Sequence, residues 1–110
     1  MHSEFYEISE QAREIINSDR PILGVGTTVT RCVEEFARSK QLSGFCKLFL
    51  NLNNRPIRQE YLLTNFHLPK STLIMLVTSF IGLEETMRIY ETAVRQKYRF
   101  YSYGDGMLVI

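Results

Sequence analysis

Pro21-Ile22-Leu23-Gly24-Val25-Gly26-Thr27-Thr28 is the stretch on which the reading of the fold depends. Its apolar half is short and bounded by turn formers, which fits a buried strand better than a helix of that length. Thr27 and Thr28 then open a helix that ends near Lys40. In it Val29, Cys32, Val33, Phe36 and Ala37 fall at helical spacing, while Arg31, Glu34, Glu35 and Arg38 occupy other faces.

Working outward, Ser9 is an N-cap for a helix over about residues 10 to 18, with Ala12, Ile15 and Ile16 on one face and Ile8 as a staple. Asp19-Arg20-Pro21 ends it. Downstream, Phe45 to Leu50 alternates as a second strand, Asn51 to Pro56 marks a turn, and Tyr61-Leu62-Leu63 reads as a third strand. Pro69 or Ser71 starts a largely buried helix through Leu73, Ile74, Leu76, Val77, Phe80 and Ile81. Gly82 stops it, and a second helix follows with Leu83, Met87, Tyr90, Val94 and Tyr98 along one stripe. Arg99 to Tyr103 and Met107 to Ile110 look like strand, turn and strand. The alternation predicts an α/β fold, a partly parallel sheet flanked by helices, with residues 1–110 forming one unit.

Composition agrees with a small folded domain. The 110 residues are 45% hydrophobic and 23% charged, which excludes a disordered chain, a collagen-like repeat and a disulfide scaffold. A net charge of +1 provides no whole-chain basic field, so any RNA contact has to be local. The later half carries the basic excess, with Lys70, Arg95, Lys97 and Arg99 near Tyr98, Phe100, Tyr101 and Tyr103. That mixture suits phosphate contacts and base stacking, and it suits cross-strand packing equally. The longest apolar run, Leu73 to Val77, is far short of the roughly 18 residues of a membrane span. With no secretory pattern at Met1-His2-Ser3-Glu4, the expected compartment is cytoplasmic. Cys32 and Cys46 form no CxxC pair and read as free packed thiols, so no metal site is expected.

Three segments can carry chemistry. Gly24 to Thr28, followed by Arg31, sets a flexible backbone, two hydroxyls and a helix N-terminus at the C-terminal end of a strand, where open α/β sheets bind anions and polar ligands. Neither a Walker A pattern nor GxGxxG is present, and Gly-x-Gly before a helix also serves tight packing. Thr64-Asn65-Phe66-His67-Leu68-Pro69-Lys70-Ser71-Thr72 again follows an apolar strand. There His67 can exchange a proton near neutral pH, Asn65 can orient a substrate or a loop, and Lys70 with Ser71 offers an anion site. Structural hydrogen bonding would explain Asn65 and His67 as well. Tyr103-Gly104-Asp105-Gly106 is either a hairpin turn or a turn that presents Asp105 as a carboxylate acceptor or base. His2 and Glu4 share a face of an alternating segment.

Together these segments resemble the S-adenosylmethionine:tRNA ribosyltransferase-isomerase family of queuosine biosynthesis. The resemblance rests on four stretches: His2-Ser3-Glu4-Phe5-Tyr6; Val25-Gly26-Thr27-Thr28 with Arg31 and Glu34; Leu63 to Leu73 with Met75-Leu76-Val77; and Tyr98-Arg99-Phe100 with Ser102-Tyr103-Gly104-Asp105. It implies transfer and isomerisation of the ribosyl part of S-adenosylmethionine onto preQ1 at the wobble position of tRNA, giving epoxyqueuosine, adenine and methionine. S-adenosylmethionine would be the ribosyl donor, with no metal and no membrane partner. His67 is then the first candidate for the general base and Asp105 the second catalytic group. Thr27, Thr28 and Asn65 would position cofactor or substrate, while Arg31, Lys70, Ser71 and Arg99 would hold carboxylate or tRNA phosphate.

Members of that family are longer, so the resemblance also implies an incomplete part of a larger α/β domain: a C-terminal portion without the N-terminal α/β part and an inserted β-barrel. Such a piece would expose sheet edges and can self-associate. The alternative is a non-catalytic ligand- or RNA-binding fragment. Three features depart from the family pattern. Gly106 stands where alanine is usual, Glu60 stands where aspartate is usual, and Asn51 to Pro56 replaces a more regular Pro-Gly turn.

Overall fold

The structure, a computed structural model, describes residues 3–66, 73–98 and 106–110. The element order is β1 (Glu4–Glu7), α1 (Glu10–Asn17), β2 (Leu23–Val25), α2 (Thr27–Ser39), β3 (Ser43–Cys46), β4 (Tyr61–Asn65), α3 (Leu73–Ile81), α4 (Leu83–Arg95) and β5 (Gly106–Val109). β2 runs parallel to β4, and β4 runs antiparallel to β5, in a sheet of order β2-β4-β5. β1 and β3 form a separate antiparallel ribbon. The partly parallel α/β architecture expected from the alternation is therefore present.

Period-two alternation fixes which way the main sheet faces. Leu62, Thr64 and Val109 are buried on the inner side, where Leu62 and Val109 join Leu50, Leu76 and Val77 beneath α3. Phe66, Tyr90 and Ala93 form a second cluster that seats α4, and Phe66 meets Tyr90 edge to face at 5.4 Å. A third cluster of Ile16, Val33 and Phe36 joins α1 to α2, with Ile8 packed against it. The outer side is apolar and, among the described residues, uncovered: Leu23, Val25, Tyr61, Leu63 and Leu108 are all exposed there. The described helices cover one face of this sheet, although sheets with parallel pairing ordinarily have both faces covered.

Local chemistry explains the helix ends. Ser9 Oγ accepts from Ala12 N at 3.1 Å, the expected N-cap. Gly26 and Gly82 begin α2 and α4 at φ 93° and 89°, in a region essentially reserved for glycine. In each helix the threonine four residues on donates its hydroxyl to that glycine's carbonyl: Thr30 to Gly26 at 3.0 Å and Thr86 to Gly82 at 2.7 Å.

Two expectations are corrected. The second strand is Ser43–Cys46, not Phe45 to Leu50. The buried guanidinium of Arg31 donates to Leu48 O at 3.2 Å and Cys46 O at 3.4 Å, and Leu50 turns fully into the core. Of the expected stripe, Leu83, Met87 and Val94 in α4 and Tyr98 beyond its end are about half exposed, and Tyr90 is buried with Thr86 and Ala93 on the side facing the core. Thr86 and Ala93 are small enough to let α4 sit close to its neighbours, so residue size outweighs hydrophobicity there.

Candidate functional site

The C-terminal ends of β2 and β4 meet beside the N-terminus of α2. Because these two strands are parallel and adjacent, with Val25 opposite Leu63, the C-terminal ends of both lie on the same edge. A cavity of about 530 Å³ lies there, lined by Gly26, Thr27, Thr28, Leu63, Asn65 and Gly106 among others. Its size suits a small-molecule ligand. Thr27 is half-buried, while Thr28 and Asn65 are exposed toward solvent. Asn65 pairs with Gly106 across the β4–β5 ladder, which brings the start of β5 to the cavity.

The rim is built firmly. Gly26 N donates to Leu63 O at 2.8 Å, extending the parallel ladder by one bond, and Gly26 O accepts from both the amide and the hydroxyl of Thr30. Gly26, the N-cap of α2, has no side chain to cap it. The first-turn N–H groups of the helix and the two threonine hydroxyls therefore present donors at its positive end, suited to a carboxylate or a ribose hydroxyl.

Behind the rim lies a network that periodicity did not predict. Glu34 is fully buried, and its carboxylate accepts from the backbone amides of Ile57, Arg58 and Gln59 at 2.7, 2.9 and 2.8 Å. Arg38 Nη1 adds a charge-assisted bond to it at 2.6 Å. Two further arginines close helix ends. Arg58 donates to the carbonyls of Ile15 and Ile16 in the last turn of α1 and of Ser18 and Arg20 after it, and Arg55 donates to those of Ser79 and Phe80 in α3. Glu60 keeps a clear role despite its departure from the family pattern: Oε1 accepts from Ile22 N at 3.0 Å and from Arg58 at 3.2 Å.

Of the sequence-predicted site residues, Thr27, Thr28 and Asn65 come together at the cavity. Arg31 does not line it. Its side chain is buried, bonded to the β3 end and 3.7 Å from Glu4. His67, Asp105, Lys70, Ser71 and Arg99 lie outside the described residues, although His67 follows Asn65 by two positions and Asp105 directly precedes Gly106. At Gly106 the usual alanine would be tight, since an added Cβ would meet the backbone Thr64 O at 3.3 Å and the strand would have to give by a few tenths of an ångström. Tyr98, expected either to bind or to pack, lies 5.8 Å from the Phe66 ring. Among the described residues no group of three or more His, Cys, Asp or Glu could hold a metal ion, and no helix is long and apolar enough to cross a membrane.

Comparison with known proteins gives this geometry a context. Along its whole length the chain is 90% identical to an S-adenosylmethionine:tRNA ribosyltransferase-isomerase of Campylobacter concisus and 62% identical to one of Aliarcobacter butzleri. It spans 32% of each of those relatives. A solved S-adenosylmethionine tRNA ribosyltransferase from Thermotoga maritima superposes with a TM-score of 0.84 at 37% identity, covering 96% of this chain and 40% of that one. The pattern of the queuosine biosynthesis protein family matches residues 1–109, and the chain belongs to that family.

Proposed function

We propose that this chain supplies the ribosyl-donor site of an S-adenosylmethionine:tRNA ribosyltransferase-isomerase, acting on tRNA that carries preQ1 at the wobble position. The observation that carries the reading is the convergence of Thr27, Thr28 and Asn65 on one cavity. Those residues come from the two segments that hold the family's most distinctive motifs. In this reading the α2 N-terminus and the two threonines hold the polar groups of S-adenosylmethionine, and the Asn65 carboxamide orients it.

The chemistry needs a proton removed next to the sulfonium, departure of adenine and attack by the preQ1 amine. Epoxyqueuosine-tRNA, adenine and methionine are the products. His67 takes the role of general base, and Asp105 orients it or faces the cationic donor. Lys70, Ser71 and Arg99 hold carboxylate or tRNA phosphate. No metal enters the scheme, and the compartment is the cytoplasm, where tRNA is modified.

A second reading is that the 110 residues bind ligand or RNA without turning over. It is favoured by their spanning only about a third of the relatives and by the exposed apolar sheet face onto which Val25 and Leu63 open beside the cavity. Single-turnover adenine release from S-adenosylmethionine with preQ1-tRNA decides between the two. Release by this chain supports a complete site, and release only by a longer relative supports a binding fragment. In the longer relative, His67→Ala and Asp105→Asn at the matching positions should abolish release, and unchanged turnover in both would refute the assigned roles.

A further inference from the structure

Gln59 stands one layer behind the cavity, does not line it, and is 5% exposed. Its carboxamide lies flat against the Cα of Gly24, so that a Cβ there would come within 2.3 Å of Nε2 and 2.4 Å of Oε1. Nε2 donates to Thr30 Oγ1 and to Tyr61 O, both at 2.9 Å. Thr30 Oγ1 in turn donates to Gly26 O at 3.0 Å. Gln59 Oε1, although buried, has no hydrogen-bond partner among the described residues. A buried acceptor left unsatisfied disfavours folding, so the side chain is an expensive choice if it only fills space.

The fold contains its own control. Gly82 and Thr86 repeat the Gly26–Thr30 unit, with the same positive φ at the glycine and the same hydroxyl-to-carbonyl bond, and among the described residues no side-chain amide joins Thr86. A buried amide is therefore not required to start a helix in this way. The first unit adds a cavity on the other side of Gly26.

We infer that Gln59 is a positioning residue. By donating to Thr30 Oγ1 it fixes the direction of that hydroxyl's proton toward Gly26 O, and so sets the orientation of the Gly26–Thr28 turn that receives the ligand. The Glu34 carboxylate, bonded to the Gln59 amide at 2.8 Å, anchors the amide-bearing residue to the body of α2. For its ligand arm the inference rests on reading that cavity as the S-adenosylmethionine site. For its structural arm it does not.

The test uses the 110-residue chain with Gln59→Met, which preserves length and apolar bulk while removing both donors and the orphan acceptor. The expected result is a split. The midpoint of thermal unfolding changes little, because removing the orphan acceptor offsets the loss of the donors to Thr30 Oγ1 and Tyr61 O. Amide protection at Gly26 and Thr30 falls about tenfold, as for the loss of one hydrogen bond, while that at Thr86 is unchanged. The dissociation constant for S-adenosylmethionine rises by about the same factor.

Should Gln59→Met fail to fold, Thr30→Val is expected to give the same loss at Gly26, and Thr30→Ser, which keeps the hydroxyl, to restore it. Unchanged protection at Gly26 and Thr30, or an equal fall at Thr86, overturns the inference. If the unaltered chain does not bind S-adenosylmethionine, the functional reading fails, and the exchange data still decide the role of Gln59.

Discussion

Glu34→Ala is the most demanding perturbation of this structure. The carboxylate is fully buried and serves four donors: the amides of Ile57, Arg58 and Gln59, and the guanidinium of Arg38. Truncation leaves those backbone donors without an acceptor at about 1–3 kcal/mol each and removes one charge-assisted bond, worth about 1.5–3 kcal/mol, from Arg38, which keeps Asn54 Oδ1 and the Glu34 and Arg55 carbonyls. These costs overlap, because water can enter the vacated space and the 57–59 segment can relax. A loss of about 3–5 kcal/mol is therefore the expectation. Against the roughly 5–15 kcal/mol total of a small domain, that is enough to threaten folding at 37 °C. Glu34→Gln retains one oxygen but turns an NH2 toward backbone donors, and should lose about 2–3 kcal/mol. Urea unfolding followed by far-ultraviolet circular dichroism, with linear extrapolation, measures both. A Glu34→Ala chain that loses less than about 1 kcal/mol would refute the idea that this carboxylate organises the 57–59 segment.

Other consequences are smaller. Gly26→Ala meets no atom within 4 Å, yet its φ of 93° should lower stability by about 1–3 kcal/mol, readable by the same unfolding experiment. A gain in stability would mean that the turn is not held in that conformation. Arg58→Ala releases the four carbonyls that follow and end α1 and should lose about 2–3 kcal/mol, with Arg58→Lys recovering only part because an ammonium cannot span them. Burial, then Cys46 and Glu4, push the Cys32 thiol above its ordinary 9.0. The rate of its alkylation should inflect above that pH. Because the folded chain then keeps this proton to higher pH than the unfolded chain, the associated stability is present below pH 9 and is lost as pH rises through the folded value. An inflection below 9.0 would contradict the assigned environment.

Parts of this molecule are legible in its sequence for identifiable physical reasons. The alternation around Leu62 and Thr64 marks an inner and an outer face, and the parallel pairing of β2 with β4 brings the C-terminal ends of both strands to one edge. For that reason the juxtaposition of Thr27, Thr28 and Asn65 could be anticipated. Lys47 to Leu50 could not, because its apparent strand pattern is overridden by the distant Arg31 guanidinium taking up the Cys46 and Leu48 carbonyls. Nor could Glu34, which looks like a solvated helix face until the segment 23 to 25 residues downstream folds over it. The one available signal was its place beside Arg31 in the motif that carries the family resemblance. Gln59 left no signal of its own, since what it does depends on a glycine across the sheet.

The central claim is that the Gly26–Thr28 turn and Asn65 form the S-adenosylmethionine site. Titrating S-adenosylmethionine into the isotopically labelled chain and following backbone amide resonances tests it most directly. Saturable shifts centred on Gly26, Thr27, Thr28, Asn65 and Gly106 are expected, with the β1–β3 ribbon unaffected. Saturable shifts centred on any other surface, with that turn silent, would contradict it.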